Sequence, residues 1–141
     1  MVSDRLTIPR SVAEELMAHA RSVLPNEACG LLAGNVHTGL ATAFHPARNA
    51  EASPLRYDVH PDDLVRIVFA IEDAGEDLVG IFHSHTHTPA VPSPTDLRSA
   101  QYPDAFYVLA TLSDLDAGPD DALRAWRIIG GASSEAPLVI G

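Results

Sequence analysis

Two stretches of the chain carry apolar residues at the spacing of an amphipathic helix. Val12, Leu16, Ala20 and Val23 recur at that spacing, while Glu14, Glu15, His19 and Arg21 fall elsewhere on the surface. The pattern predicts a helix that opens at Pro9, whose missing N–H costs nothing in a first turn, and stops at Pro25-Asn26. Leu64, Ile67, Val68 and Ile71 form the second stripe. Pro61-Asp62-Asp63 opens that helix with acidic side chains where the dipole favours them, and Gly75 ends it. Pro94 to Gln101 reads as a short third helix starting near Asp96.

Between these lie short apolar runs of strand type. Leu6 to Ile8, Ala28 to Ala33, Leu40 to Phe44, Leu78 to Phe82, Phe106 to Leu112, Leu123 to Ile129 and Leu138 to Ile140 are the candidates, and Arg56 to Val59 is a further short one. Gly34-Asn35 with Gly39 marks a hairpin-like turn, and Asp114 to Asp121 an acidic one. His45 to Pro54 lacks periodicity and holds two prolines, so it reads as a loop. Strands mixed with two long helices and a short third predict an α/β (α+β sandwich) fold around a mostly antiparallel or mixed sheet. No repeat, linker or low-complexity tract interrupts residues 1–141, which predicts a single domain.

Composition narrows the class of partner. A net charge of −10 argues against nucleic acid or an anionic membrane surface. The hydrophobic share of 46% and charged share of 20% are those of a soluble globular protein. No apolar run approaches the roughly 18 residues of a membrane span. One cysteine, Cys29, excludes an internal disulfide and fits a reducing, cytoplasmic setting.

The chemistry gathers after the Leu78–Phe82 run. If that strand continues to His85, His83 and His85 point to one face and Ser84 to the other. Two imidazoles plus a carboxylate from a following element, Asp96, make an N,N,O set that suits zinc with one position open for catalysis. His87 offers a second register of the same spacing. Seven residues separate His85 from Ser93 and two separate Ser93 from Asp96, whereas the same count from His87 ends on Arg98. Arginine cannot ligate zinc, so the first register is preferred and His87 is read as a loop side chain. Ser93, between two prolines, is either the N-cap of the short helix or a hydroxyl donor to an oxyanion. A zinc-bound water also needs a carboxylate to take its proton. Glu27 is a candidate, though spacing alone does not select it from Glu14, Glu15, Glu51 and Glu72. Cys29 reads as a small buried side chain, with an auxiliary role near the metal as the alternative.

Glu27, His83-Ser84-His85, Ser93 and Asp96 at this spacing resemble the JAMM (MPN-plus) metalloprotease signature. The stretches Asn26 to Gly34, Asn49-Ala50-Glu51-Ala52-Ser53-Pro54 and Pro103 to Leu109 are similar to the small bacterial, Mec-type branch, which acts on a ubiquitin-like sulfur carrier of a cysteine-synthesis pathway. The resemblance implies a JAMM fold (cytidine-deaminase-like, with a short metal-site helix) and one catalytic zinc with its bound water. It also implies His83, His85 and Asp96 as ligands, Glu27 as acid/base and Ser93 as the group that steadies the tetrahedral intermediate. The implied substrate is a carrier with a C-terminal Gly-Gly, cut after that dipeptide to free cysteine. A homodimer is compatible with this reading. Two other readings stay open: a JAMM enzyme acting on another ubiquitin-like tail, and a metal-free MPN scaffold that only binds partners.

Overall fold

A computed structural model describes residues 1–141. The chain runs β1 (Leu6–Ile8), α1 (Arg10–Ser22), β2 (Cys29–Asn35), β3 (Leu40–Ala47), α2 (Pro61–Asp73), β4 (Asp77–His85), α3 (Pro94–Ser99), β5 (Phe106–Thr111), α4 (Pro119–Ala122), β6 (Leu123–Ile129), β7 (Ala132–Ala136) and β8 (Leu138–Ile140). The strands form one eight-stranded sheet in the order β7-β6-β5-β4-β2-β3-β1-β8. It is mixed: β4 pairs antiparallel with β2 and parallel with β5, and β1 pairs parallel with β3 and β8. No helix is long and apolar enough to cross a membrane.

Alternation along the strands feeds two cores, one on each face of the sheet. Phe82 joins Leu32, Phe44, Val108 and the buried stripe of α1, namely Val12, Ala13, Leu16, Met17 and Ala20. Its neighbour Ile81 joins Cys29, Leu31, Tyr107 and the α2 residues Ile67 and Ile71. β4 is buried along most of its length because it lies inside the sheet with a helix layer over each face. That placement carries His83 and His85 into the α2-side layer.

Both long helices form where their stripes predict them. α2 ends at Ala74, and Gly75 turns the chain at φ +71°, a conformation that disfavours a side chain. Two expectations need correction, and one strand lies where none is expected. β3 continues through His45 to Ala47, across Pro46, where a loop was expected. Arg56–Val59 is not a strand, and only Val59 makes an isolated bridge, with Asn49. β7 has no apolar alternation to announce it: four of its five residues are exposed, and it pairs only with β6 at the sheet edge.

The irregular segment 48–60 is nevertheless firmly held. Arg48 donates its backbone N–H and its guanidinium to the Asp63 carboxylate, at 2.8 to 3.0 Å, tying the end of β3 to the first turn of α2. Those bonds hold the Asp63 carboxyl well below the usual carboxylate range. A depressed carboxyl stabilises the fold above its ordinary value, near pH 4, and that contribution is lost as pH falls toward the folded value. Asp63→Asn is therefore expected to lower the melting temperature by a few degrees at pH 7, with the gap to wild type narrowing toward pH 3. A gap that stays constant over that range would show that the carboxylate charge is not what anchors the segment.

Candidate metal centre

His83 and His85 project from the C-terminal end of β4 and are 0% and 4% exposed. The intervening turn of chain returns at α3, where the Ser93-Pro94 start does two jobs. Ser93 Oγ accepts the Asp96 N–H at 3.1 Å, and Asp96 Oδ2 accepts the Ser93 N–H at 2.9 Å, a reciprocal capping box. The same Oδ2 lies 3.2 Å from His83 Nε2 and 3.1 Å from His85 Nε2. Cap geometry thus aims Asp96 at both imidazoles. One potential ligand atom from each of the three residues lies within 4.8 Å of the others.

The tautomer of His85 shows what this convergence demands. Its Nδ1 sits 2.8 Å from the carbonyl oxygen of Pro89, which can only accept, so the proton is on Nδ1. In the neutral ring Nε2 then carries a lone pair and faces a carboxylate oxygen. Two lone pairs at this distance repel unless a cation lies between them, either a proton or a metal ion. Full burial lowers the pKa of His83, which disfavours the doubly protonated, charged ring. Burial also opposes charge on His85, but its bonds to Asp96 and the Pro89 carbonyl outweigh it and raise that pKa. The Asp96 carboxyl, pushed up by burial, is pulled well below the usual range by the two imidazoles. Ligands about 2.0–2.1 Å from a tetrahedral ion stand roughly 3.3 Å apart, close to both nitrogen–oxygen separations. The donor chemistry and spacing fit a divalent metal.

Glu27 lies just before β2, and the register Cys29–His83 brings that end of β2 alongside the histidines. The two peptides that flank it are fixed by three bonds: Glu27 N donates to Ser53 O (2.8 Å), Asn49 Nδ2 donates to Glu27 O (3.1 Å), and the next N–H, that of Ala28, donates to Ser84 Oγ (2.8 Å). Glu27 is only 5% exposed, and its Oε1 has no hydrogen-bond partner. Burial raises its pKa to about 7, with His85 pulling it down and Asp96 pushing it up. A carboxyl half-ionised at neutral pH can both accept and donate a proton.

All five sequence-predicted residues gather at this end of the sheet. Ser93 fills the capping role, and since its oxygen serves there as acceptor, its O–H stays free to donate. His87 is exposed on the following loop. Cys29 is fully buried, its thiol pushed up to about 12 first by burial, and points toward the Ala47 and Arg48 carbonyls. Sequence reasoning missed Tyr57, whose ring stacks on His83 at 4.1 Å between centroids. It also missed the Pro89 carbonyl and the Asn49 amide. Asn49 accepts from Glu51 N and Asp58 N and donates to Glu27 O and Arg56 O, closing the loop behind the glutamate. A carbonyl has no side-chain signature; only the Asn49–Pro54 resemblance marked this loop.

The family model for prokaryotic homologs of the JAB domain matches residues 9–129. The chain is 41% identical to the CysO-cysteine peptidase of Mycobacterium tuberculosis, over 94% of this chain and 89% of that one. It is 38% identical to the desampylase of Haloferax volcanii, over 99% of each. Among solved structures, a solution structure of a Desulfitobacterium hafniense protein superposes with a TM-score of 0.86 at 30% identity, covering 96% and 92% of the two chains. A JAB1/MPN domain protein from Archaeoglobus fulgidus shares the fold alone, with a TM-score of 0.57 at 18% identity over 95% and 99%. With a histidine pair and aspartate converging under a sheet of this topology, the chain belongs to the prokaryotic JAB-domain family.

Proposed function

We propose that this chain is a zinc-dependent peptidase that hydrolyses the bond after the C-terminal Gly-Gly of a ubiquitin-like sulfur carrier protein, releasing cysteine or a short extension. The observation that carries the proposal is the convergence of His83 Nε2, His85 Nε2 and Asp96 Oδ2 beside a buried glutamate carboxyl poised at about 7. The 41% identity to a CysO-cysteine peptidase supports the substrate class.

In this reading His83, His85 and Asp96 hold the ion. Bound there, zinc supplies Lewis acidity, which acidifies water and polarises the scissile carbonyl. Glu27 in its ionised form takes the proton from the attacking water. In its acid form it hands that proton to the departing amine as the C–N bond breaks, which restores the carboxylate. The free Ser93 O–H donates to the carbonyl oxygen as negative charge builds on it. Tyr57 and the Pro89 carbonyl fix the planes and tautomer of the two imidazoles. A diglycine tail suits a narrow site because it brings no side chains to clash and offers its backbone for strand-like pairing. A second reading, cleavage of another ubiquitin-like tail, draws support from the desampylase likeness over the full chain. A non-catalytic scaffold is disfavoured because all five motif residues are present.

Intact mass of a sulfur carrier ending in Gly-Gly-Cys, incubated with the protein, is expected to show loss of one cysteine, blocked by a chelator. A carrier left uncut by a zinc-loaded enzyme would move the assignment to other ubiquitin-like tails. Asp96→Ala is expected to lose the metal, and unchanged metal content would remove Asp96 from the ligand set. Glu27→Gln should retain metal yet lose turnover; an active variant would place the proton carrier elsewhere. Ser93→Ala is expected to keep the metal and slow hydrolysis by about 10²–10³. A rate near that of wild type would leave Ser93 with its capping role alone.

A further inference from the structure

We propose that Ser84, the residue between the two histidines, is a positioning residue that sets where Glu27 stands relative to β4. The inference rests on the proposed role of Glu27 as proton carrier. Ser84 is fully buried and its side chain faces away from the metal centre, so it touches neither ligand nor substrate.

The β2–β4 register pairs Gly30 with Phe82 and Cys29 with His83. Continued by one step it sets Ala28 against Ser84, and by two it sets Glu27 against His85. At the first of these steps the ladder changes. Ser84 N still donates to Ala28 O at 3.1 Å, but Ala28 N donates to Ser84 Oγ at 2.8 Å. A side-chain oxygen thus takes the place that the Ser84 carbonyl would hold in a regular antiparallel pair, and β2 begins only at Cys29.

This substitution has a consequence for the chemistry. A regular cross-strand pair would bring the Glu27 and His85 Cβ atoms to about 4.5–5.5 Å, near enough for the carboxylate to bond the imidazole directly. Instead His85 Nε2 is aimed at Asp96, and Glu27 Oε1 has no protein partner, as a group that must reach a water requires. The other two anchors of the Glu27 backbone, Ser53 O and Asn49 Nδ2, come from the 48–60 segment. From the strand that carries the histidines, Ser84 Oγ is the side-chain anchor, bonding the N–H of the peptide that follows Glu27. Alternation places its two neighbours in the metal layer, so the residue between them is free to fix the adjacent strand. The His-Ser-His triplet then holds two ligands and the spacer that positions their acid/base partner.

The test compares zinc-loaded wild type with Ser84→Ala and Ser84→Thr. Amide hydrogen exchange at Ala28 reads the hydrogen bond directly and needs no substrate; kcat and KM on the carrier read its consequence. Ser84→Ala is expected to speed Ala28 exchange about tenfold, the scale of one net hydrogen bond. Its kcat should fall by about 10- to 100-fold, with KM within roughly twofold and metal content unchanged. Ser84→Thr, which keeps the hydroxyl, is expected to restore both. Should the alanine variant not fold, Ser84→Cys, close in size but a weak acceptor, is expected to show the same two losses in smaller degree. Unchanged Ala28 protection, an unchanged kcat, or a rise in KM alone would overturn the proposal. A wild-type enzyme inactive on the carrier would count against the proposed function, while the Ala28 exchange rates would still decide whether Ser84 holds β2.

Discussion

One carboxylate oxygen, Asp96 Oδ2, faces two imidazole nitrogens in a pocket from which water is nearly excluded. This contact is the constraint around which the rest of the structure is arranged. Because the Pro89 carbonyl accepts the Nδ1–H of His85, the Nε2 lone pair of the neutral ring faces the Asp96 carboxylate, and a proton or a metal ion must lie between them. Burial makes the demand sharper, since a lone charge or an unpaired polar atom is costly there. An ion bound to the folded state alone would be linked to stability, so metal occupancy and folding rise together.

The architecture supplies what that contact needs. An interior strand covered on both faces gives two histidines of fixed direction, and period-two alternation puts them on one side. The third donor comes from α3, whose capping box aims Asp96 without a dedicated support. A short helix of six residues would be marginal alone. Its start is held by the cap, and the cap is part of the site. Behind Glu27 the 48–60 segment forms no regular structure yet satisfies its backbone through Asn49 and Arg48. The glutamate is thereby rigid in its main chain while one oxygen of its side chain stays free for a proton.

Much of this was legible in the sequence, for physical reasons that also explain what was not. The helices announced themselves because each buries one stripe, and β4 because an apolar run ends in histidines at strand spacing. His87 could be set aside because its register ends on Arg98. By contrast, β3 looked broken at Pro46. Beyond Leu40, where β1 meets it, that strand has a ladder partner only on the β2 side, and an edge position tolerates proline. β7 was invisible because an edge strand with four exposed residues needs no hydrophobic pattern. Arg56–Val59 had strand-like composition, but Tyr57 is recruited to His83 and the segment closes on Asn49 instead. Glu27 could not be picked from the other glutamates by spacing, because its selection depends on cross-strand register and burial, which local sequence does not encode.

The most direct test of the account is anomalous diffraction at the zinc edge from crystals of the purified protein. The account predicts a single strong peak bonded to His83 Nε2, His85 Nε2 and an Asp96 oxygen, about 2.0–2.2 Å from each, with one coordination position not taken by protein. A zinc-loaded crystal whose peak lies elsewhere, or whose ion is closed by a fourth protein ligand such as His87 or Cys29, would contradict it.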